Sequence, residues 1–436
     1  MVSARTAHPS PAFGGIAAVL GDKSISHRAL IFAALADGTS RISGLLEADD
    51  VHATRAAVEA FGARIERQGD DLLVTGGTWH SPEGPIDCGN SGTSARLLMG
   101  AAARFDGLVA TFVGDESLSR RPMKRIVTPL SRMGARFDGG DTLPLTLHGA
   151  RIGGIDYDSP VASAQVKSAI LLAGLGTDAP VRVREPRPSR DHSEVMLAQF
   201  GVEGDVEALV DGAQAVSLGS ARSLRACDIV VPRDPSSAAF AWGVAAMVPG
   251  ASVTVDGVLV NATRTGFLEA LEAMGAAVRI ENQRLQSGEP VADVTVSHAR
   301  LEPLRLEPKD VPALIDEIPM LACVAAMADG ESVFEGIGEL RHKESDRIGS
   351  TAAGLVANGV QVFPEEDRLT IMGRGSVRGG GRVATHHDHR IAMAFLSLGL
   401  AAETPITVDD ATPIATSFPA FETMMAGLGA RIEEVA

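Results

Sequence analysis

Apolar residues recur at helical spacing in six pairs of segments along the chain. In each pair the first segment is apolar on most of its faces and the second is amphipathic, which predicts a buried helix followed by a half-exposed one. The first helices are predicted at residues 26–36, 93–103, 164–175, 236–247, 317–328 and 389–400. A β-like run follows each of them, at residues 40–45, 109–113, 181–184, 252–255, 332–334 and 406–408.

A glycine closes every amphipathic segment of this pattern, and a short extended run follows it. Successive glycines lie 67 to 84 residues apart, and the six are Gly62, Gly134, Gly201, Gly275, Gly359 and Gly429. Because a glycine in the left-handed region commonly ends a helix, each of them marks a predicted helix C-terminus. The unit of helix, strand, helix, glycine and one or two strands therefore occurs six times.

Six α/β units in 436 residues predict two domains of three units each. The predicted boundary lies at Arg233–Ser237, so that one domain holds residues 21–233 and the other holds residues 1–20 together with 234–436. The N-terminal residues precede the first helix, and we expect them to pair with the second of these domains. A single large α/β domain with accidental glycine spacing is the alternative.

The composition of the chain indicates the make-up of its core, the partners it can bind and its compartment. The chain is 45% hydrophobic and only 4% aromatic, so Ala, Gly, Val and Leu must form most of the core. A net charge of −16 argues against a nucleic-acid or membrane-surface partner. Three cysteines without metal spacing favour a reducing compartment, and the longest apolar stretch, residues 238–248, is too short to cross a bilayer. We therefore expect a cytoplasmic protein.

Cations and hydroxyls gather at the predicted helix starts, where cations are unfavourable unless an anion joins them. The polar stretches are residues 22–28, 90–96, 120–125, 163–167, 189–192, 233–237, 316–317, 341–347 and 386–390. In the stretch at 89–96, two glycines permit close approach of the backbone to a ligand, and the following helix start offers N–H groups to an anion. This pattern predicts a site for more than one anionic group.

Simpler explanations exist for several of these residues. Taken singly, Asp22, Asn90, Ser163 and Asp316 are each better explained as an N-cap. The 343–347 charges could form a surface ion-pair network, and the histidines at 386, 387 and 389 could suggest a metal. No Cys or HExxH partner accompanies those histidines, so we expect no metal and no cofactor.

Six motifs carry a resemblance to a known family. They are GDKSISHR at residues 21–28, GNSGT at 89–93, RPM at 121–123, SAQ at 163–165, KESDR at 343–347 and DHR at 388–390. In this order they resemble the 5-enolpyruvylshikimate-3-phosphate (EPSP) synthases. The RPM and SAQ forms, together with SRDH at residues 189–192, are similar to the bacterial class II branch. The resemblance runs from about Gly21 to Pro419.

This resemblance implies a fold and a reaction. The fold is the two-domain α/β fold of enolpyruvyl transferases, an inside-out α/β barrel in which each domain has three βαβαββ repeats and the active site lies in the interdomain cleft. The reaction transfers the enolpyruvyl group of phosphoenolpyruvate to the 5-hydroxyl of shikimate 3-phosphate and releases phosphate, a step of aromatic amino acid biosynthesis. The implied partners are these two small molecules, and we expect a monomer.

Site residues follow from the matching motif positions. The resemblance assigns phosphoenolpyruvate to Lys23, Asn90, Gly92, Arg121, Gln165, Arg347 and Arg390. It assigns shikimate 3-phosphate to Lys23, Ser24, Arg28, Thr93, Ser163, Ala164, Gln165, Ser189, Arg190, Asp316 and Lys343. The implied catalytic residues are Asp316, which accepts the 5-hydroxyl proton, Glu344, the acid/base at the methylene carbon, and the lysines Lys23 and Lys343.

Two other functions compete with this one. The sister enolpyruvyl transferase that acts on UDP-N-acetylglucosamine carries a reactive cysteine in a loop that corresponds to Gly114–Arg121, where this chain has none. A non-catalytic anion-binding protein on the same scaffold would have no need of both Asp316 and Glu344. One departure from the family pattern is Thr416, at a position where many members have a lysine.

Overall fold

The computed structural model describes residues 3–435, and its helices match the predicted pairs. The α-helices are α1 Lys23–Leu35, α2 Asp49–Ala60, α3 Gly92–Ala103, α4 Glu116–Arg120, α5 Lys124–Met133, α6 Ala164–Gly174, α7 His192–Gln199, α8 Pro235–Met247, α9 Gly266–Ala273, α10 Ile318–Ala326, α11 Arg347–Ala357, α12 His389–Ala401 and α13 Phe421–Gly427. Short 3-10 helices cover Val210–Gly212, Val311–Ala313, Ile315–Glu317, Gly338–His342 and Thr412–Thr416.

The strands are short and follow the predicted β-like runs. In unit-by-unit order they begin with β1 Arg5–His8, β2 Gly14–Ile16, β3 Thr39–Ser43, β4 Arg64–Gln68, β5 Asp71–Thr75, β6 Ile86–Asp87, β7 Val109–Val113, β8 Arg136–Gly139, β9 Leu145–His148, β10 Ile155–Asp158, β11 Val181–Glu185, β12 Gly204–Ala208, β13 Gln214–Leu218 and β14 Ile229–Val230. They continue with β15 Ser252–Leu259, β16 Ala277–Gln286, β17 Glu289–Ser297, β18 Arg305–Leu306, β19 Asp329–Glu335, β20 Gln361–Pro364, β21 Arg368–Arg374, β22 Arg382–Val383, β23 Ile406–Val408 and β24 Arg431–Glu434.

The glycine prediction is confirmed at all six positions. Each of the six glycines has a positive φ, between 85° for Gly201 and 121° for Gly134. A residue with a Cβ is strained in that region, so glycine is the residue that lets each helix end and the next strand begin. The predicted starts of the first helices agree with the structure within one residue, except at α1. Helix α1 begins at Lys23 rather than at 26, because Asp22 accepts a hydrogen bond from Ile25 N–H and caps the earlier turn.

Every described sheet has four strands and one plan of pairing. The sheet orders are β14-β3-β5-β4, β6-β7-β9-β8, β10-β11-β13-β12, β16-β17-β15-β2, β18-β19-β21-β20 and β22-β23-β1-β24. In each sheet the strand after a first helix pairs in parallel with a short strand from elsewhere in the chain and antiparallel with a third strand. The repeated pairing is the structural form of the sixfold sequence repeat.

The described chain divides into two compact units. Unit 1 holds residues 3–20, 233–284 and 290–435, and unit 2 holds residues 21–232 together with 285–289. In unit 2 strand β14 completes the first sheet by pairing with β3. In unit 1 the N-terminal strand β1 lies between β23 and β24, and β2 pairs with β15.

The first helices of the repeats form the centre of each unit. All residues of α8 are buried, as are all of α10 and residues 25–35 of α1. In unit 2 helices α3 and α6 cross so closely that a Cβ on Gly100 would lie 2.5 Å from the Cα of Ala169. This packing explains why small residues dominate the core, and it brings the N-termini of α3 and α6 to neighbouring places. No helix among the described residues combines the length and apolar character that a bilayer crossing needs.

Candidate active site

Arg347 is the centre of the charged cluster in unit 1. It is the first residue of α11 and is 1% exposed. Its guanidinium donates to Asp388 at 2.8 and 3.2 Å, to Glu344 at 2.6 Å and to Asp316 at 3.4 Å. Burial alone would lower the pKa of Arg347, but the carboxylates of Asp388 and Glu344 raise it above its usual value. The guanidinium is therefore a permanent cation held among acids.

The two predicted catalytic carboxylates both accept hydrogen bonds from the Arg347 guanidinium. Asp316 lies in the 3-10 turn Ile315–Glu317 directly before α10, and Glu344 lies in the segment that leads into α11. Lys343 also donates to Asp316, at 3.3 Å. Each of these three side chains is partly exposed, between 16 and 28%, so solutes can reach them while Arg347 behind them is covered.

Asp388 and Arg390 complete the cluster from the start of α12. Asp388 is fully buried and caps α12 by accepting from the backbone N–H of Arg390 at 2.9 Å. The Arg390 side chain donates to the carbonyl of Asp316 at 3.0 Å and lies 3.6 Å from Glu317. The structure thus brings together Asp316, Lys343, Glu344, Arg347 and Arg390, all five predicted site residues of unit 1.

In unit 2 most of the predicted residues lie at or near the N-termini of α1, α3 and α6. Lys23 begins α1 and forms an ion pair with Asp50 of α2. The Lys23 side chain is 21% exposed, whereas that of Asp50 is 6% exposed. The lysine therefore has a buried counter-charge on one side and an accessible face on the other.

Arg121 and Asn90 form a second pair in unit 2. Arg121 follows helix α4 and donates to the side-chain oxygen of Asn90 at 2.6 Å and to the Ser117 hydroxyl at 3.1 Å. Asn90 in turn donates to Asp115, the N-cap of α4, at 2.6 Å. Asn90 is not an N-cap itself, because the cap of α3 is Ser91, which accepts from Ser94 N–H.

Arg96 joins the starts of α3 and α6. Its guanidinium donates to the Gln165 side chain at 2.8 Å, and Gln165 donates to the Thr93 hydroxyl at 3.0 Å. A Cβ on Gly92 would lie 2.6 Å from Nη1 of Arg96 and 3.5 Å from Nη1 of Arg121. A side chain at position 92 would therefore have to displace the Arg96 guanidinium, whereas Arg121 lies at an ordinary contact distance. The family motifs assigned Arg96 to neither substrate.

Arg28 is placed more deeply than the motif suggests. It is 2% exposed and donates to the hydroxyls of Ser193 and Ser168 at 2.8 and 2.9 Å and to the carbonyl of Ser24 at 3.0 Å. Burial lowers the pKa of Arg28 to about 10. The expected contact of Arg28 with substrate stays a prediction, while its contact with the Ser24 backbone is observed.

The remaining predicted residues lie around the start of α6 and the segment before α7. Ser163 occupies the N-cap position of α6 without a side-chain capping bond, and Ala164 is the first helical residue. Ser189 is buried and Arg190 beside it is half-buried. Ser163 and Ser189 both donate to Glu185, a residue that no sequence motif indicated.

Three acids of the site were assigned no role by the family motifs. Asp50, Asp115 and Asp388 each pair with a site residue that lies 25 to 41 residues away in the chain. Thr416, at the position of the family lysine, donates its hydroxyl to the Pro413 carbonyl at 2.7 Å. Among residues 3–435 there is no group of three or more His, Cys, Asp or Glu side chains placed to hold a metal ion.

The fold is that of the enolpyruvyl transferases. The enolpyruvyl transferase NikO from Streptomyces tendae has the same fold, with a TM-score of 0.78 at 18% identity, covering 100% of this chain and 99% of that one. An EPSP synthase from Acinetobacter baumannii aligns with a TM-score of 0.87 and 41% identity, covering 100% of both chains.

Sequence comparison then identifies the family. The family model of EPSP synthase (3-phosphoshikimate 1-carboxyvinyltransferase) matches residues 8–425. The 3-phosphoshikimate 1-carboxyvinyltransferase of Caulobacter vibrioides is 50% identical over 434 residues, with 98% of both chains covered. That of Parvibaculum lavamentivorans is 51% identical over 442 residues, with 98% of this chain and 96% of the relative covered. The chain belongs to the EPSP synthase family.

Proposed function

We propose that this chain transfers the enolpyruvyl group of phosphoenolpyruvate to the 5-hydroxyl of shikimate 3-phosphate and releases inorganic phosphate. Relatives at 50 and 51% identity over nearly the full length carry the name of this activity. The structural observation that carries the proposal is the placement of Asp316 and Glu344 on the one guanidinium of Arg347. A pure binding protein needs the cation but has no use for two accessible carboxylates beside it.

The reaction requires proton transfer at two places. In the addition step the 5-hydroxyl oxygen bonds to C2 of phosphoenolpyruvate, its proton passes to a base, and C3 gains a proton. In the elimination step C3 loses a proton and the bond from C2 to the phosphate oxygen breaks. We assign the hydroxyl proton to Asp316 and the C3 proton to Glu344, because positioned carboxylates serve as acid and base when neighbouring cations tune them.

Binding two anions together requires many cations and exclusion of water. We assign the phosphate of phosphoenolpyruvate to Lys23, Arg121 and Gln165, with Asn90 and Gly92 lining its pocket. We assign its carboxylate to Arg347 and Arg390. The observed polar contacts support these roles, since the charged and amide side chains of this set are each held by protein partners.

Shikimate 3-phosphate takes the remaining donors in this proposal. Those assigned to it are Lys23, Ser24, Arg28, Thr93, Ser163, Ala164, Gln165, Ser189, Arg190, Asp316 and Lys343. The division into domains 21–233 and 1–20 with 234–436, a monomeric state and a cytoplasmic location stay predictions.

The decisive experiment is a phosphate-release assay on the purified full chain. With both substrates present we expect continuous release of phosphate, and with either substrate alone we expect none. Absence of release with both substrates would contradict the proposal. Release with phosphoenolpyruvate alone would indicate a phosphatase instead, and turnover with UDP-N-acetylglucosamine in place of shikimate 3-phosphate would indicate the sister activity.

A further inference from the structure

Glu185 is a fully buried acid that the proposed reaction does not use. It ends strand β11 and is 0% exposed. Its Oε1 accepts from the backbone N–H of Ser163 at 3.0 Å and from the Ser189 hydroxyl at 2.7 Å. Its Oε2 lies 3.0 Å from the Lys167 ammonium and accepts from Gln214 at 3.2 Å. We call these five residues the Glu185 hub.

The hub joins two segments that are separate in the chain. Ser163 is at the N-cap position of α6, directly before Ala164 and Gln165. Ser189 lies between β11 and α7, directly before Arg190. Because a single carboxylate oxygen accepts from both serines, the distance between the two segments is set by Glu185.

Lys167 provides the counter-charge that makes such a buried acid possible. Its ammonium is 0% exposed, lies 2.7 Å from Glu194 and donates to the Ser189 carbonyl at 3.3 Å. Burial alone would lower the pKa of Lys167, but the carboxylates of Glu194 and Glu185 raise it above its usual value. A buried charge is tolerated only when it is paired and hydrogen-bonded, and Glu185 meets both conditions.

We propose that Glu185 is a positioning residue for shikimate 3-phosphate: it holds the Ser163 and Ser189 segments at a fixed separation before the substrate arrives. This inference rests on the proposed function, which assigns both serines to that substrate. Glu185 lies behind the serines and contacts no substrate itself. Holding the two segments in advance removes the cost of ordering them on binding, which otherwise weakens affinity.

The Glu185 hub also allows the Ser189 hydroxyl to change its hydrogen-bond partner. The Ser189 hydroxyl has one hydrogen, so donation to a substrate phosphate requires it to turn away from Glu185. The carboxylate then keeps the Ser163 N–H, Lys167 and Gln214 as donors, so it is not left unsatisfied. The position of the segment is retained through the bond from Lys167 to the Ser189 carbonyl.

The test is the variant Glu185→Gln in the full-length enzyme. In either orientation of the amide, its NH2 group faces a group that can only donate, the Ser163 N–H in one orientation and the Lys167 ammonium in the other, so at least one bond of the hub is lost. We expect KM for shikimate 3-phosphate to rise about tenfold, while kcat and KM for phosphoenolpyruvate change by no more than about twofold. An unchanged KM for shikimate 3-phosphate in a variant of lower thermal stability would overturn the inference, because Glu185 would then only stabilise the fold.

Glu194→Gln is the matched control. It removes the other carboxylate from Lys167 but touches neither Ser163 nor Ser189 in the structure. We expect it to lower Tm and to leave KM for shikimate 3-phosphate within about twofold of wild type. An equal rise in KM in both variants would overturn the inference, because the effect would then belong to the buried charges as a whole.

Two arrangements keep the result decisive. If Glu185→Gln does not fold, Glu185→Asp retains the charge beside Lys167 but is one methylene too short to reach both serines as well, and it is expected to raise the same KM. An Asp variant with wild-type KM would overturn the proposal. Failure of the proposed function is distinguishable, since the wild-type enzyme would then release no phosphate at all.

Discussion

The buried pair of Asp388 and Arg347 allows one substitution to be worked through in detail. Asp388→Asn keeps the size of the side chain and its oxygen, so the cap of α12 is retained. It removes the charge that faces Arg347 at 2.8 and 3.2 Å, in a place where Asp388 is 0% and Arg347 is 1% exposed. The variant therefore removes one buried negative charge and, with the cap oxygen retained, also places an amide NH2 against the Nε–H of Arg347.

The size of the loss in stability depends on the carboxylates that still pair with Arg347. Removal of one partner from a buried ion pair costs about 3–5 kcal/mol when the other charge is left uncompensated. Arg347 keeps Glu344 at 2.6 Å and Asp316 at 3.4 Å, so we expect a smaller loss in the free energy of unfolding, about 2–3 kcal/mol. For a unit of about 220 residues this loss lowers Tm by about 5–10 °C.

The same substitution changes the dependence of stability on pH. Burial opposes ionisation of Asp388, but the Arg347 guanidinium holds the pKa of this carboxyl below its ordinary value. Such a group stabilises the fold above its unfolded-state pKa of about 3.9, and the contribution is lost as pH falls through the lower folded-state pKa. Between about pH 4 and pH 2, the free energy of unfolding should therefore fall more steeply in wild type than in Asp388→Asn.

Thermal denaturation followed by circular dichroism at several pH values is the assay. The matched control is Asp346→Asn, because Asp346 also caps a helix, α11, and also pairs with an arginine, but its side chain is 46% exposed. An exposed pair contributes at most about 1 kcal/mol, so the control should stay near wild type. Equal Tm values for the two variants, or parallel pH profiles for wild type and Asp388→Asn, would refute the reasoning.

Three further outcomes are expected. Glu344→Gln should lower kcat at least about 100-fold at nearly unchanged KM, because an amide cannot exchange a proton with C3, and unchanged turnover in the phosphate-release assay would remove Glu344 from this role. Gly92→Ala places its Cβ 2.6 Å from the Arg96 guanidinium and should raise KM for phosphoenolpyruvate about tenfold. The control Gly84→Ala, whose Cβ has no atom within 4 Å, should leave this KM unchanged. Equal KM values for the two variants in steady-state kinetics would contradict this prediction. Burial raises the pKa of Cys227 to about 11, so iodoacetamide should label it slowly at about pH 8 and faster as pH rises, and labelling at the rate of a free cysteine would count against this.

The repeat could be predicted from sequence because its signals are local. Each first helix is apolar on nearly every face, and each amphipathic helix ends at a glycine whose φ is positive, as at Gly62 and Gly429. Those signals lie within a few residues of the feature they determine. Pairing of strands is different, since β14 and β3 are about 190 residues apart and no local pattern links them.

The sequence predicted which residues form the candidate site, but it did not predict the ion pairs and hydrogen bonds between them. Family motifs indicated Lys23 and Arg347, whose side chains are reachable at helix starts. They gave no role to Asp50 or Asp388, because an aspartate before or within a first turn is equally well explained as a cap or a helix-dipole partner. Only tertiary packing shows that these acids are the counter-charges of the site.

The position of β1 between β23 and β24 has a consequence for synthesis of the chain. Residues 5–8 are synthesised about 400 residues before their partners, residues 406–408 and 431–434. At about 5–20 residues per second, the strand waits roughly 20–80 s with both edges unpaired. Unit 2 meets a shorter delay, because β14 is already present when residue 230 has been made. Vectorial synthesis thus favours folding of unit 2 first, with unit 1 completed only once β24 has been made.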